Sequence, residues 1–469
     1  MTAMTAMREK LRLPAFPAGS TVAVLGLGVS GEAAARLAAA RGGFVYASDL
    51  STDPGPSAAA ARLVADGIDA ETGGHDVERV LAADLVIVSP GIAPTSGIRR
   101  QISDAGIRTI AEVELGWRDL ESRVIAITGT NGKTTTTGLV AHVLEVSGLR
   151  ATAAGNIGLA LSEIALQIPQ PDWVALELSS FQLADQETLS PDVGVLLNLS
   201  PDHLDRYRDV ASYYADKRRL FDDSTAESRW VLNADDPACL ELAAGVKGER
   251  YLFSTCGPVD RGAWSGSDGI LRCRLEAEVE WMPASDLLLL GPHNVANALA
   301  AGLACTLAGV EPEAIASGLS SFKALPHRLQ PLGERDGVLW VNDSKATNVS
   351  ATAVALKSFD RPVVLILGGR HKGEPYSSLV PDLRERARAV VVYGEAAPRI
   401  VSDLGGSVDT KVESGIDAVV QTAAELTRPG DVVLLSPACS SYDMFPNYRE
   451  RGRAFEAAFR ALPAGRGAP

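Results

Sequence analysis

Short apolar runs alternate with helical patterns along most of this chain. Near the N-terminus, an apolar run at 21–25 is followed by a glycine-rich turn and by an alanine-rich stretch, 32–41, with helical spacing. Strand, turn and helix recur in this order, which predicts parallel sheets flanked by helices. Further strands are predicted at 44–47, 85–88, 173–178, 193–199, 230–232, 338–341, 363–367, 389–392 and 432–435.

Interruptions of this alternation divide the chain into three α/β blocks. The segment 110–123 has the pattern of a helix and a linker, and a second strand, turn and helix follow from Val124 to about Val146. Residues 252–290 have the pattern of antiparallel strands and turns. We therefore predict domains at 1–109, 110–324 and 325–469. The length of 469 residues agrees, since roughly 150 residues per domain is typical.

Composition narrows the class of protein. Forty-four lysines and arginines against 58 aspartates and glutamates leave a net charge of −14, which argues against a nucleic-acid or membrane-surface partner. The five cysteines lie far apart with no C-x-x-C pair, so neither a disulfide framework nor a thiolate zinc site is expected. No apolar run reaches the roughly 18 residues of a membrane span. We expect a protein of the reducing cytoplasm.

The first glycine turn, Gly26-Leu27-Gly28-Val29-Ser30-Gly31, fits G-x-G-x-x-G, with Asp49 eighteen residues further on. By pattern alone this predicts a dinucleotide site, and an NAD-dependent dehydrogenase is one interpretation. A tight turn that only packs the helix on its strand is another. The physical argument supports less than NAD: helix N-terminal amides that face a phosphate or diphosphate, and a carboxylate that accepts from a sugar hydroxyl. A UDP-sugar carries the same groups.

The second glycine turn is stronger evidence for a ligand. Gly129, Gly132, Lys133 and Thr134 lie where a strand becomes a helix, which supplies backbone amides, one ammonium and one hydroxyl to phosphate and magnesium. This arrangement predicts binding of a nucleoside triphosphate. It departs from G-x-x-x-x-G-K-[ST] because Ile127 occupies the first glycine position, so a turn without a nucleotide is the alternative.

Two polar residues follow buried-strand patterns. Glu177 interrupts the apolar run that begins at 173–176, where an unpaired carboxylate would cost several kcal/mol. A magnesium ligand would explain it, and a buried ion pair with arginine is the alternative. His203 follows the run at 193–199 and lies beside Asp202 and Asp205. A ligand role and a purely structural role are both open for this histidine.

Lys217 is the most unusual residue of the chain. In the segment 209–221, the apolar residues fall at helical spacing and Lys217 lies on the same stripe, while Arg218 and Arg219 point away. The lysine should therefore face inward. Burial would favour the neutral amine, which reacts with carbon dioxide to an anionic carbamate. A stem that extends along the surface to water is the alternative.

The segment 126–134, A-I-T-G-T-N-G-K-T, resembles the ATP loop of the Mur ligase and folylpolyglutamate synthase superfamily. Similarity continues in order over residues 21–453. The further matching strings are G-N-I-G at 155–158, E-L-S-S-F-Q at 177–182, D-H-L-D at 202–205, G-P-H-N at 291–294 and P-H-R at 326–328. The strings at 342–348, 368–373 and 435–443 look like those of the members that add D-glutamate.

The resemblance implies an α/β fold of three domains: an N-terminal Rossmann-like domain for the UDP-substrate, a central P-loop ATPase-like domain with a mixed sheet, and a C-terminal Rossmann-like domain for the amino acid. It implies ATP-dependent amide formation between UDP-N-acetylmuramoyl-L-alanine and D-glutamate through an acyl phosphate, a cytoplasmic step of peptidoglycan precursor synthesis. It also implies two magnesium ions, a carbamylated Lys217, small-molecule partners without nucleic acid or membrane insertion, and a monomer.

The resemblance also implies roles for the matching residues. Catalytic roles fall to Lys133, Glu177, His203 and Lys217, and the magnesium ligands would be Thr134, Glu177, His203 and Lys217. The ATP-binding residues would be Gly129, Thr130, Asn131, Gly132, Lys133, Thr134, Thr135, Asn294, Asn297, Arg328 and Asp343. The UDP-substrate residues would be Leu27, Gly28, Asp49, Asn156 and His203, and the D-glutamate residues Thr347, Lys372, Ser441 and Tyr448.

Two departures from the superfamily pattern affect these assignments. Leu50-Ser51 follows Asp49 without the arginine that some relatives have there, and Tyr448 adds a hydroxyl where phenylalanine is common. Two alternatives come from other classes of protein. A dehydrogenase would not need the Lys133 loop, and a non-catalytic nucleotide-binding protein would not need Glu177, His203 and Lys217 together.

Overall fold

The computed structural model of the chain describes residues 14–203 and 206–463. Asp205, named above beside His203, lies outside these residues. The described residues form two compact units: one holds those up to Ala284 together with Asn297–Leu319, and the other holds Ser285–Ala296 together with those from Ser320 onward. In the part of the chain that is described, no helix combines the length and the apolar character that crossing a membrane requires.

The first sheet of the first unit has five parallel strands in the order β3-β2-β1-β4-β5. The strand order reverses between β1 and β4, so the turns after these strands diverge and leave a crevice at their carboxyl ends. The strands are β1 Thr21–Leu25, β2 Phe44–Asp49, β3 Asp69–Thr72, β4 Leu85–Val88 and β5 Thr109–Ala111; the helices are α1 Val29–Ala40, α2 Pro54–Ala65, α3 Val77–Leu81, α4 Gly97–Asp104 and α5 Glu112–Arg118.

The second sheet of this unit is mixed, in the order β14-β13-β12-β11-β10-β9-β6-β8-β7, with antiparallel pairing of β12 to β13 and of β13 to β14. Its strands are β6 Arg123–Thr128, β7 Ala151–Gly155, β8 Trp173–Glu177, β9 Val193–Leu196, β10 Arg229–Asn233, β11 Glu249–Ser254, β12 Gly262–Ser265, β13 Ile270–Arg274 and β14 Glu278–Pro283. The next helices are α6 Lys133–Val146, α7 Leu161–Ala165, α8 Ser180–Ala184, α9 Val210–Arg218, α10 Pro237–Leu242, α11 Pro292–Ala308 and α12 Pro312–Ser321, with 3-10 turns at Arg219–Phe221 and Ala284–Asp286.

The order of this sheet positions the chemistry. Strand β6 lies between β9 and β8, so the glycine loop that follows β6 is flanked by the end of β8, which is Glu177, and by the segment after β9. The carboxyl ends of neighbouring parallel strands meet at one edge, where such sheets bind ligands.

The second unit contains a six-stranded sheet in the order β15-β16-β20-β17-β18-β19, parallel except for β15 against β16. Apolar clusters cover both of its faces. The strands are β15 Gln330–Arg335, β16 Val338–Asn342, β17 Val363–Gly368, β18 Ala387–Tyr393, β19 Thr410–Val412 and β20 Val432–Leu435; the helices are α13 Val349–Leu356, α14 Val380–Arg386, α15 Ala397–Leu404, α16 Ile416–Leu426 and α17 Tyr448–Ala461, with a 3-10 turn at Tyr376–Leu379.

The predicted α/β class is confirmed, and most predicted strands lie within two or three residues of their expected bounds. The prediction of a helix and a linker at 110–123 was only partly right, because Thr109–Ala111 forms the edge strand β5 before the helix. The prediction missed β7, whose alanines and threonine give no strong strand pattern. The region 252–290 contains the expected antiparallel strands, but β11 pairs in parallel with β10 and β12. The domain limits at 109 and 324 stay a prediction.

Two glycines of the first turn should respond differently to substitution. An ideal Cβ at Gly31 would lie 1.7 Å from the carbonyl oxygen of Gly26, whereas a Cβ at Gly28 meets no atom within 4 Å. We predict that Gly31→Ala lowers the free energy of unfolding by about 1–3 kcal/mol through overpacking, although alanine is the better helix former. Gly28→Ala should stay within about 0.5 kcal/mol of the wild type. Urea unfolding checks both values, and equal stability of the two variants would contradict the close approach.

Candidate functional site

The loop after β6 has the backbone of a phosphate-binding turn. Gly129 and Gly132 adopt φ values of 150° and 82°, which side chains rarely tolerate, and Gly132 caps the N-terminus of α6. A Cβ at Gly132 would lie 2.3 Å from Oδ1 of Asn297, so this asparagine lies directly against the loop. Asn297 Oδ1 also accepts a hydrogen bond from Thr136 at 3.2 Å.

Asn198 fixes the loop from the side of β9. Its Oδ1 accepts from the Asn131 amide at 2.8 Å, its Nδ2 donates to the Asn131 carbonyl at 3.0 Å, and its own carbonyl accepts from the Thr130 amide at 2.9 Å. The Thr130 hydroxyl donates to the Ser200 carbonyl at 3.1 Å. The sequence prediction did not single out Asn198, and its position just after a buried strand was the available signal.

Lys133 and Lys217 share one acceptor. The Lys133 ammonium donates to the carbonyls of Gly129 and Thr130 at 2.9 and 2.7 Å, and the Lys217 ammonium donates to the Gly129 carbonyl at 2.8 Å. Thr134 and Thr135 follow in the first turn of α6. Two lysine side chains therefore converge on the carbonyl oxygen of a loop whose geometry suits phosphate.

Lys217 lies on the inner face of α9, with 1% of its surface exposed, as the helical stripe predicts. The alternative of a stem that reaches the surface is therefore wrong. Burial lowers the pKa of its ammonium well below the ordinary value, and the charge of Lys133 lowers that pKa further. The ring of Tyr213, which the sequence prediction did not assign, lies 4.7 Å from the ammonium, and its hydroxyl donates to Thr130 at 3.3 Å.

Glu177 is buried at the end of β8, with 1% exposed. Its Oε1 accepts from Asn156 Nδ2 at 2.7 Å, and among the described residues it forms no ion pair with arginine, which was the alternative to a magnesium ligand. Within that same part of the chain, its buried Oε2 has no hydrogen-bond partner. An orphaned buried carboxylate oxygen is costly, and coordination of a cation would compensate it. Asn156, predicted for the UDP-substrate, therefore directly orients the predicted metal ligand.

His203 lies at the same edge of the sheet, after β9. It adopts a positive φ of 55°, uncommon for a residue other than glycine, and its ring packs against Phe181 and Tyr213 at centroid distances of 5.1 and 6.1 Å. Its side chain stays 42% exposed, and its Nε2 lies 3.7 Å from Asp202 Oδ2. The ring is thus held in place and accessible to a ligand.

The first glycine turn brings together three of the residues predicted for the UDP-substrate. Asp49, at the end of β2, accepts from the Leu27 amide at 2.6 Å and from the Ser51 amide at 2.8 Å. Gly28 is the N-cap of α1 and leaves open space where a side chain would lie. Leu50, which stands where some relatives have arginine, is exposed.

The remaining predicted ATP residues lie in the second unit. Asp343 is buried after β16, where its oxygens accept from the Leu329 amide at 3.2 Å and from the Ser436 hydroxyl at 2.9 Å. Burial raises the pKa of Asp343 to about 7. Arg328 lies between two residues with positive φ, His327 and Leu329, and Asn294 donates to the Leu290 carbonyl at 2.7 Å.

The residues predicted for D-glutamate follow the carboxyl ends of β16, β17 and β20 in the six-stranded sheet. Lys372 donates to the Thr347 hydroxyl at 3.4 Å, and the segment of Lys372 is joined to that of Ser441 by paired backbone hydrogen bonds between Arg370 and Ser440. Tyr448 begins α17 and has the ammonium of Lys345 4.2 Å from its ring. The structure therefore brings Thr347 and Lys372 together and ties Ser441 to the same end of the sheet.

Three family models match successive parts of the chain. They are described as the Mur ligase MurD-like N-terminal domain, over residues 20–111, the Mur ligase middle domain, over 127–305, and the Mur ligase glutamate ligase domain, over 327–439. The first glycine turn falls in the first of these matches and the second glycine turn in the next, and apart from Ser441 and Tyr448 every predicted site residue lies within one of the three.

Curated relatives are similar over nearly the whole chain. A protein from Salinibacter ruber is 43% identical over 94% of this chain and 97% of its own length, and one from Acidobacterium capsulatum is 41% identical over 93% and 95%. One from Koribacter versatilis is 40% identical over 95% and 98%. All three are named UDP-N-acetylmuramoylalanine–D-glutamate ligase.

Solved structures share the fold at low identity. The UDP-N-acetylmuramate-alanine ligase of Thermotoga maritima superposes with a TM-score of 0.58 at 18% identity, covering 94% of this chain and 99% of that one. A pseudomurein peptide ligase from Methanothermus fervidus gives 0.56 at 20% identity over 89% and 96%. The three family models and the relatives above 40% identity show that the chain belongs to the Mur ligase family, within its UDP-N-acetylmuramoylalanine–D-glutamate ligases.

Proposed function

We propose that this protein is an ATP-dependent ligase that joins D-glutamate to UDP-N-acetylmuramoyl-L-alanine, with ADP and phosphate as the other products, in cytoplasmic peptidoglycan precursor synthesis. Family membership supports the reaction over the dehydrogenase and the non-catalytic binding protein. The observation in the site that supports it best is the pair of buried charges, Glu177 and Lys217, beside a phosphate-type loop. Each has chemistry that an ATP-dependent transfer uses and that simple binding does not need.

In the first step, the alanyl carboxylate attacks the γ-phosphorus of ATP, which forms an acyl phosphate and releases ADP. The amides from Gly129 to Thr135 and the ammonium of Lys133 would hold the phosphates, with Asn297 packed behind the loop. Leu27, Gly28 and Asp49 would hold the UDP end, and Asn294, Arg328 and Asp343 would complete the nucleotide site. Lys133 must leave its carbonyl acceptors to reach the transferring phosphoryl group.

The residues fit magnesium, because the orphaned Oε2 of Glu177 is a hard oxygen donor in a buried place. Thr134, Glu177, His203 and a carbamylated Lys217 would hold the two ions. Bound magnesium would neutralise charge that develops on the transferring phosphoryl group. Since no cluster of three His, Cys, Asp or Glu exists among the described residues, phosphate and carbamate oxygens would have to supply further ligands.

The surroundings of Lys217 support its proposed carbamylation. The neutral amine that burial favours would attack carbon dioxide, form the N–C bond and release a proton to water, which leaves an anionic carbamate. This converts a buried cation into two oxygen ligands beside Lys133. The hydrogen bond to the Gly129 carbonyl keeps the nitrogen at the loop.

In the second step, the amino group of D-glutamate attacks the acyl phosphate carbon, and phosphate leaves from the tetrahedral intermediate. Lys372, Thr347 and Ser441 would hold the carboxylates of the amino acid, and Tyr448 would line their pocket. This set lies in the proposed third domain, 325–469. We keep the limits 1–109 and 110–324 for the other two and propose that one chain suffices, since it carries all three sets.

Phosphate release should depend on the amino acid and on its hand. With ATP and UDP-N-acetylmuramoyl-L-alanine, we predict turnover with D-glutamate and none above background when L-glutamate or D-aspartate replaces it, because fixed donors for two carboxylates select one arrangement at the α-carbon. Addition of NAD instead of an amino acid should also give no turnover. Lys372→Met removes a charge-assisted hydrogen bond worth about 1.5–3 kcal/mol, so KM for D-glutamate should rise about tenfold or more with KM for ATP unchanged.

Lys357→Met is the matched control, since Lys357 is 53% exposed on the same unit and pairs with Asp382 at 3.3 Å. Its kinetic constants should equal those of the wild type. Equal use of the two hands of glutamate, or a rise in KM for ATP alone in Lys372→Met, would sink the assignment of these residues.

Carbamylation is tested by carbon-13 NMR after equilibration with labelled bicarbonate. The wild type should show one protein-bound carbamate signal, which Lys217→Met lacks and Lys133→Met retains. Lys217→Arg, which cannot form the carbamate, should be nearly inactive, and Lys217→Glu, which supplies a carboxylate, should be at least as active as the wild type. A missing signal in the wild type, or near-normal turnover of Lys217→Arg, would overturn the carbamate.

A further inference from the structure

Arg206 connects two loops of the first unit. Its guanidinium stacks on the ring of Phe181 at 4.1 Å, and its Nη2 donates to the carbonyls of Gly91 and Pro90 at 3.3 and 3.4 Å. Across residues 14–203 and 206–463, no carboxylate lies within ion-pair distance of it. The guanidinium is therefore held by an aromatic face and by backbone oxygens, a combination that suits its planar fork and that lysine cannot reproduce.

The Pro90–Gly91 loop belongs to the crevice of the first sheet. Ser89, which begins it, donates its amide to the Leu25 carbonyl at 2.9 Å and its hydroxyl to the Gly26 carbonyl at 3.0 Å. A Cβ at Gly26 would lie 2.8 Å from that of Ser89. Any ligand that orders the first glycine turn therefore also orders the acceptors of Arg206.

On its other side, the stack leads to the phosphate loop. Tyr207 stacks on Phe181 at 5.5 Å with an interplanar angle of 10°, and the His203 ring meets Phe181 edge-on at 5.1 Å. Tyr207 meets Tyr213 at 5.3 Å, and Tyr213 donates to Thr130. Packed rings of this kind have few alternative arrangements, so a displacement of one ring shifts the ring that packs against it.

The backbone supports the same connection. The amides of Arg206 and Tyr207 donate to the His203 carbonyl at 2.9 and 3.0 Å, and His203 has the unusual φ of 55°. A conformation of this kind persists only where its surroundings enforce it. The contacts of Arg206 with Pro90 and Gly91 hold the segment after His203 against the first sheet.

We propose that Arg206 is a positioning residue that couples the UDP-substrate crevice to the phosphate loop by holding Phe181 and, through it, the ring of His203. This inference rests on the proposed ligase reaction. It predicts that the UDP-substrate and the nucleotide each raise the affinity of the protein for the other, by the same factor in both directions because of thermodynamic reciprocity. Removal of Arg206 leaves the contacts of each ligand intact and removes the coupling.

The test is calorimetric titration of UDP-N-acetylmuramoyl-L-alanine with and without a non-hydrolysable ATP analogue and magnesium. The wild type should bind the UDP-substrate at least about fivefold more tightly with the analogue present. In Arg206→Gln this factor should fall to about one while each binary Kd changes less than about twofold and kcat falls about tenfold or more. Arg206→Lys should behave like Arg206→Gln, because the stack and the fork are lost.

Arg208→Gln is the matched control, since Arg208 is 87% exposed and its ion pair among the described residues is with its neighbour Asp209 at 3.0 Å. It should keep both the coupling and kcat. Coupling in Arg206→Gln equal to that of Arg208→Gln, absence of coupling in the wild type, or loss of binary nucleotide affinity with a lowered melting temperature would each overturn the positioning role. An inactive wild type would instead contradict the proposed reaction.

Discussion

The structure depends on the free-energy cost of burying charged groups beside the carboxyl ends of β6 and β8 in the second sheet. Glu177 and Lys217 are both buried beside the loop that follows β6, yet the carboxylate bonds to Asn156 and the ammonium to the Gly129 carbonyl. Neither contact fully replaces water for a charged group. The residues therefore suit partners that the polypeptide does not provide, and the cost of burying them would fall if phosphate, a cation and the proposed carbamate neutralised one another.

The fold accommodates these buried groups by fixing the loop after β6 and the residues that contact it. Strand β6 lies between β8 and β9, which places Glu177 on one side of the loop and Asn198 on the other. Gly129 and Gly132 provide the positive φ values, and Asn297 fills the space that a side chain at Gly132 would need. The loop therefore has little freedom to collapse onto the buried charges, which keeps the site open to a nucleotide.

Sequence reasoning recovered the features that local patterns encode. The glycine turns, the burial of Lys217 and the alternation of strands and helices all follow from spacing within about twenty residues. It missed Asn198 and Tyr213, because their contacts with the loop join residues more than sixty positions apart. The hydrogen-bond donor to Glu177 could not be predicted from the sequence either. A buried carboxylate requires a donor or a cation, but only the pairing of β7 with β8 shows that Asn156 supplies one of the donors. The edge strand β5 was too short to give a pattern.

We propose that Glu177 is kept buried for a cation that accompanies the nucleotide. The most direct test of this claim is urea unfolding of the wild type and Glu177→Gln, each alone, with ADP, and with ADP and magnesium. Glutamine keeps the acceptor for Asn156 and removes the charge, so the variant alone should be at least as stable as the wild type. At 100 times its Kd a ligand adds about 2.7 kcal/mol, and the part of this gain that requires magnesium should be confined to the wild type. A variant that is less stable alone and keeps the full magnesium-dependent gain would contradict the account.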